Sequence, residues 1–134
     1  MGIENVKLIE LPKFCDKRGN LSFIEEMQHI PFKILRSYWI YDVPGGETRG
    51  GHAYKNNEEF IVALSGSFNV TVDDGNFRKV FMLNRSYYGL YIPKNIWRQM
   101  DNFSTNSLAL ILASTPFDEE DYIFDYKRFK TMFL

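Results

Sequence analysis

Cysteine occurs once in this chain, at Cys15, so no internal disulfide can form, which suits a reducing compartment. Histidine occurs twice, at His29 and His52, which leaves any transition-metal site short of imidazoles. No apolar run approaches the roughly 20 residues of a membrane-spanning helix. The first residues, MGIENVKLIELPKF, lack the basic start and apolar stretch of a signal peptide, and a cytoplasmic location is expected. Net charge is −1, so neither a nucleic acid nor an anionic membrane surface is an expected partner. Repeats, linkers and low-complexity segments are also missing. The 134 residues therefore read as one domain, 1–134, long enough to bury a sizeable core.

Aromatic residues are abundant instead: twelve Phe, eight Tyr and two Trp make up 16% of the chain. They favour β structure, and core packing is their commoner use. Short apolar runs alternate with turn signals, which reads as all-β. Strands are expected at Val6–Leu11, Leu21–Glu25, Phe32–Tyr41, Glu59–Ser65, Phe68–Val72, Val80–Leu83, Tyr88–Ile92 and Leu108–Ala113. Asp16 to Asn20 reads as a turn, and Asp74-Gly75 as a type I′ hairpin. Near the end, Asp118-Glu119-Glu120-Asp121 precedes an apolar-periodic stretch through Phe133, and acidic residues suit the first turn of a helix. One or two short helices are expected over Glu119 to Lys130. About nine or ten strands in one domain imply a sandwich or a barrel-like double sheet.

The segment Gly46 to Gly66 carries the strongest signal. It holds a Gly, five residues, His52-Ala53-Tyr54, four residues, Glu59, six residues and Gly66. This spacing resembles the first motif of the cupins, which has H-x-H where this chain has His52 and Tyr54. The cupin resemblance implies a jelly-roll barrel (a double-stranded β-helix) with short C-terminal helices. It also implies that the Gly46 segment and the Tyr88 to Arg98 segment form adjacent strands at the barrel mouth. A metal-binding cupin holds its ion with three His and one Glu. Here the second motif ends at Arg98, a cation with no lone pair to donate. Two of four ligands are missing, so no metal is expected. What is left is one imidazole, phenols, a carboxylate and several Arg. His52 is suited to general-base work near neutral pH, and Arg to bidentate phosphate binding. A lone His is more often a satisfied structural residue, and only the motif around His52 argues otherwise. His29 has no such frame and reads as a loop residue. Only Arg49 and Arg98 are tied to the cavity by the spacing itself.

The chain resembles the WxcM-like group of sugar-nucleotide 3,4-ketoisomerases. The matching segments run Asp16 to Leu21, Ile30 to Phe32, Arg36 to Ile40, Arg49 to Ala53, Asp73 to Gly75, Gly89 to Tyr91, Trp97 to Met100, and Leu112-Ala113-Ser114 through Asp118 to Ile123. They span nearly the whole chain in order. The resemblance implies a metal-free, cofactor-free homodimer that exchanges N-terminal strands and acts on a dTDP-linked 4-keto-6-deoxyhexose. The keto group moves from C4 to C3 through an enediol, in the making of 3-amino sugars for surface glycans. The resemblance places the first catalytic His on His52 and the second on Tyr54, a departure. A third falls on Arg98. Arg18, Arg36, Tyr38 and Arg49 are implied as pocket residues, and Glu59 and Tyr91 join the expected substrate-binding set. In this reading His52 takes the C3 proton, Tyr54 protonates or polarises the oxygen, and Arg98 or Arg18 stabilises the enediolate.

Other readings of the same residues are a metal-free dTDP-sugar 3,5-epimerase, a cupin that binds a sugar nucleotide without turning it over, and a metal-dependent dioxygenase. The block through Asp121 and the run Arg49 to Ala53 favour the isomerase group over the epimerase. Tyr54 and Arg98 keep the binding module in play.

Overall fold

The computed structural model describes residues 2–132. Twelve strands and one short helix follow in order: β1 (Lys7–Glu10), β2 (Lys13–Asp16), β3 (Gly19–Ser22), β4 (Arg36–Tyr41), β5 (Arg49–Tyr54), β6 (Glu59–Ser65), β7 (Phe68–Asp73), β8 (Arg78–Leu83), β9 (Tyr88–Ile92), β10 (Trp97–Asp101), β11 (Leu108–Ala113), β12 (Tyr122–Ile123) and α1 (Tyr126–Met132). Two five-stranded antiparallel sheets, ordered β1-β9-β6-β11-β4 and β12-β5-β10-β7-β8, face one another. The hairpin β2-β3 stands apart as its own two-stranded sheet. This is the expected double-sheet, cupin-like architecture.

Alternation builds the core. Phe68, Val70 and Val72 of β7 and Met100 of β10 meet Ile61 and Ala63 of β6, Leu90 and Ile92 of β9 and Ala109 and Ile111 of β11, all buried. Each fully buried side chain of this size stabilises by about 1.5–3 kcal/mol. A second cluster lies on the outer face of the first sheet, where Ile30, Phe32 and Leu11 cover Phe60, Val62 and Leu112. A third lies under α1, where Phe129 packs on Ala53, Trp97 and Ile123.

Several boundaries differ from the sequence reading, each for a local reason. The expected strand Phe32–Tyr41 starts only at Arg36, because pairing with β11 ends at Ala113 opposite Arg36. Phe32 and Ile34 instead serve the outer cluster. Lys13–Asp16 is a strand, and its partner runs Gly19–Ser22 rather than Leu21–Glu25. The Asp16 to Asn20 turn narrows to Lys17-Arg18, with Gly19 at φ +124°. Asp74-Gly75 is not a two-residue turn. The β7-β8 pairing closes at Asp73 opposite Arg78, leaving a four-residue loop in which the Asp74 carboxylate accepts from the backbone N–H of Asn76 and Phe77.

The C-terminal block departs most. Glu119–Asp121 is a single 3-10 turn, Tyr122–Ile123 is a strand beside β5, and the one α-helix starts at Tyr126. Asp121 is buried and accepts from the backbone N–H of Asn56 and Asn57, which anchors this block to the β5-β6 loop. Phe133 lies outside the described residues.

Candidate active site

A cavity of about 420 Å³ opens between the sheets, lined by Tyr38 from β4, Arg49, His52 and Tyr54 from β5, Arg98 from β10, and Tyr122 and Phe124 from the C-terminal block. Antiparallel pairing puts Arg98 directly opposite His52. The motif's adjacent-strand expectation therefore holds for β5 and β10. It fails for Tyr88–Ile92, which belongs to the other sheet between β1 and β6.

The floor is a buried charge cluster centred on Glu59. Its Oε1 accepts from Arg98 Nε at 2.9 Å and from Arg98 Nη2 in a salt bridge. Its Oε2 accepts from the Tyr54 hydroxyl at 3.1 Å and from the Tyr38 hydroxyl. Arg98 Nη2 also donates to the Tyr38 oxygen at 2.9 Å. Glu59 and Arg98 are each 1% exposed. Burial pushes the Tyr38 and Tyr54 phenols well above their usual range, and the Glu59 charge adds to it. Both phenols therefore stay protonated, with their protons directed at a carboxylate that can only accept.

Gly50 makes this packing possible. Its φ is +76°, and any Cβ there would collide with Arg98 Nη1. The two requirements coincide on a residue that only glycine satisfies without strain.

His52 sits above the cluster. It is buried, and its Nε2 has no hydrogen-bond partner. Its ring meets Tyr54 edge-on at 4.7 Å and tilts against Tyr122 at 4.9 Å. Desolvation, followed by the Arg98 and Arg36 charges, pulls its pKa down to about 2. The imidazole is neutral at working pH, it lines the cavity, and its Nε2 is not engaged by any protein group. That is the state a general base needs.

The remaining expected residues separate into groups. Arg49 is exposed at the rim. Arg36 lies behind Tyr38, its guanidinium 5.5 Å from the Tyr38 ring and 5.8 Å from that of Phe117, with Nε buried and unpaired. Glu59 is too deeply buried to meet a ligand and holds the groups that can. Tyr91 is not at this cavity. It donates to Glu58 at 2.5 Å and lines a separate hollow of about 590 Å³ with Lys7, Ile9 and His29. Arg18 is also remote within its own chain, paired with Asp16 at 2.8 Å on the exposed tip of the β2-β3 hairpin. His29 is a loop residue, as expected, with Nδ1 accepting from the Glu25 N–H.

Two lining residues from the C-terminal block escaped the sequence reading. Tyr122 and Phe124 stack nearly parallel, 5.2 Å apart, at the mouth. Their spacing of two was the available signal, since it puts both side chains on one face of a strand. The acidic run before them suggested a helix instead.

Among the described residues no three His, Cys, Asp or Glu side chains converge as a metal site. The donor set itself is unsuited to a cation, because Arg98 and two phenols already occupy the Glu59 carboxylate.

Comparison with known proteins places the chain in a family. The model of the family described as WxcM-like, C-terminal (FdtA) matches residues 4–133. The TDP-4-oxo-6-deoxy-alpha-D-glucose-3,4-oxoisomerase of Aneurinibacillus thermoaerophilus is 44% identical over 124 residues, covering 92% of this chain and 89% of that protein. A 3,4-ketoisomerase from Helicobacter canadensis superposes with a TM-score of 0.93 at 40% identity, covering 96% of this chain and 97% of the other. A mutant of the 3,4-ketoisomerase QdtA from Thermoanaerobacterium thermosaccharolyticum, solved in complex with TDP-4-keto-6-deoxyglucose, superposes with a TM-score of 0.94 at 35% identity, covering 97% and 94%. With the family model spanning almost all of the chain and a two-sheet fold matched end to end, this chain belongs to the WxcM-like, C-terminal family.

Proposed function

We propose that this protein is a TDP-sugar 3,4-ketoisomerase that moves the carbonyl of TDP-4-keto-6-deoxyglucose from C4 to C3 through an enediol. The observation that carries the reading is His52: a neutral, buried imidazole that lines the cavity and has a ring nitrogen with no hydrogen-bond partner. The relatives named above support the substrate class, since one is named for this reaction and another was solved with this sugar nucleotide. His52 takes the C3 proton, and the nearby Arg98 charge favours the negative charge that develops on the enediol oxygens. Arg49 at the rim suits the diphosphate.

Tyr54 acts differently from a second histidine. Its proton is held by Glu59, so it offers the substrate lone pairs and accepts a hydrogen bond from a hexose hydroxyl. The reaction proceeds without metal, because the position of a fourth ligand holds Arg98 and the carboxylate is already neutralised by it.

The protein, a single domain over 1–134, works in the cytoplasm, supplying 3-keto sugars for amination and surface glycans. It forms a homodimer by exchanging N-terminal strands. The exposed apolar side chains Phe14 and Leu21 on the detached hairpin, and Trp39 and Tyr41 on the edge strand β4, support this. Exchange would also give the remote Arg18 a route to the partner's cavity.

The test is a 13C NMR time course with EDTA present and substrate labelled at C3 and C4. The carbonyl resonance is expected to pass from C4 to C3. A carbonyl that stays at C4 while the C3 or C5 centre inverts would assign a 3,5-epimerase, and tight binding without change would assign a binding module.

A further inference from the structure

We propose that Asp121 is a positioning residue for the reaction: its buried carboxylate clamps the aromatic wall of Tyr122 and Phe124 against His52. The proposal rests on the isomerase reading and adds to it a residue that lies outside the cavity lining.

The wall is poorly held by its own strand. β12 is two residues long, lies at the edge of its sheet, and pairs Tyr122 with Tyr54 and Ile123 with Ala53. Neighbouring strand residues point to opposite faces. Tyr122 lines the cavity, while Ile123 is buried with Trp97 and Phe129. That apolar contact chooses the face, but burial is non-directional and sets no fixed point along β5.

The Asp121 carboxylate supplies the fixed point. One oxygen accepts from the Asn56 N–H at 2.8 Å and the other from the Asn57 N–H at 3.1 Å. The Asp121 carbonyl accepts from the Lys55 N–H at 3.0 Å. Asn57 Oδ1 accepts in turn from the backbone N–H groups of Ser114 and Thr115, at 3.0 and 3.1 Å. Both ends of the segment 114–121 are therefore fastened to one dipeptide, in the loop that joins β5 to β6. Asp121 is 5% exposed and forms no ion pair among the described residues. A buried carboxylate is a costly way to hold a loop unless direction matters. Charge-assisted bonds to two N–H groups are short and directional.

What the clamp holds is a group of rings. Tyr122 stands 4.9 Å from the His52 ring and 4.7 Å from that of Tyr54. Phe117, inside the fastened segment, packs on Tyr122 at 5.9 Å. A shift of the segment moves Tyr122 along the imidazole and changes the space the substrate occupies beside it. A displacement of about 1 Å at a reacting centre costs up to about 100-fold in rate.

The experiment is a double-mutant cycle of Asp121→Asn and Tyr122→Ala in the full chain. It is read in kcat/KM for TDP-4-keto-6-deoxyglucose, in the thermal midpoint, and in the imidazole C–H signals of 1H–13C NMR. The chain has two His, so the His52 signals are those missing from His52→Asn. With Tyr122 present, Asp121→Asn is expected to lower kcat/KM by about 10–100-fold and to shift the His52 signals while those of His29 stay. With Tyr122→Ala, the same change is expected to alter kcat/KM by less than about 2-fold, although the fall in midpoint remains. An equal penalty on kcat/KM in both backgrounds overturns the proposal, because Asp121 then acts on stability alone. His52 signals unmoved by Asp121→Asn overturn it too. Should Asp121→Asn not fold, Asp121→Glu takes its place in the cycle, since it keeps the charge and displaces the wall by one methylene. If the wild type gives no C3 carbonyl, the isomerase reading fails on its own, and the His52 signals still decide whether the clamp holds the wall.

Discussion

Glu59→Gln is the most informative single change. The two side chains have almost the same volume, so the substitution removes charge rather than packing. In the native cluster Glu59 neutralises Arg98, which is 1% exposed, and accepts from both Tyr38 and Tyr54. The neutral amide leaves the Arg98 guanidinium as an uncompensated buried charge. Breaking a buried pair at one partner costs about 3–5 kcal/mol. A chain of 134 residues has an unfolding entropy of about 0.28 kcal/mol/K, so the midpoint should fall by about 11–18 °C. Calorimetry and urea titration read this directly. Glu59→Leu with Arg98→Met removes both charges and should cost less than Glu59→Gln alone, because no orphan charge remains. A loss below about 1 kcal/mol for Glu59→Gln would refute the reasoning, since that is the scale of a solvent-screened surface pair.

Protonation of His52 has consequences for stability and for rate. Its folded pKa of about 2 lies below the ordinary value, so the unfolded chain binds the extra proton below about pH 6.5. Stability is fully present above that pH and declines as pH falls, by up to about 2 kcal/mol at pH 5. His52→Asn should lack this component in paired urea titrations at pH 5 and pH 7.5. The kcat/KM profile should show no acid limb near pH 6.5, and a limb there would contradict a neutral His52 in the free enzyme. Gly50→Ala forces a Cβ onto Arg98 Nη1 at a positive φ and should cost about 1–3 kcal/mol in urea titration, with activity falling alongside as Arg98 shifts. Asn57→Ala removes the buried oxygen that accepts from the backbone N–H groups of Ser114 and Thr115 and should cost about 2–3 kcal/mol by the same assay.

The sheets were legible where one face of a strand is buried and the other is not. Phe68, Val70 and Val72 alternate cleanly, and β7 lies where that pattern puts it. Legibility failed where tertiary contacts decide. Phe32 and Ile34 are apolar enough for a strand, yet they cover the outer face of a sheet instead of extending one. The acidic run Asp118 to Asp121 has the composition of a helix start, but Asp121 turns inward to cap the β5-β6 loop and the chain leaves as strand β12.

At the site, the frame from Gly46 to Gly66 indicated His52, Tyr54 and Glu59, and the geometry brings them together with Tyr38 and Arg98. Spacing could not reveal that Glu59 lies beneath the cavity rather than in its wall. Nor could it reveal that Tyr91 faces the outer side of its sheet, because that depends on the phase of β9 against β6. Arg18 is a third kind of case. Its position at the tip of a detached hairpin gives it no neighbour in the cavity of its own chain.

The central claim is that His52 is the group that moves the carbon-bound proton. The most direct test compares wild-type protein with His52→Asn on 13C-labelled TDP-4-keto-6-deoxyglucose, with TDP binding measured in parallel to show that the cavity is intact. The account predicts a C3 carbonyl from the wild type and, for the variant, retained TDP binding with turnover lowered at least about 100-fold, the least expected of a lost general base. A variant that binds TDP and still produces the C3 carbonyl at the wild-type rate would contradict it.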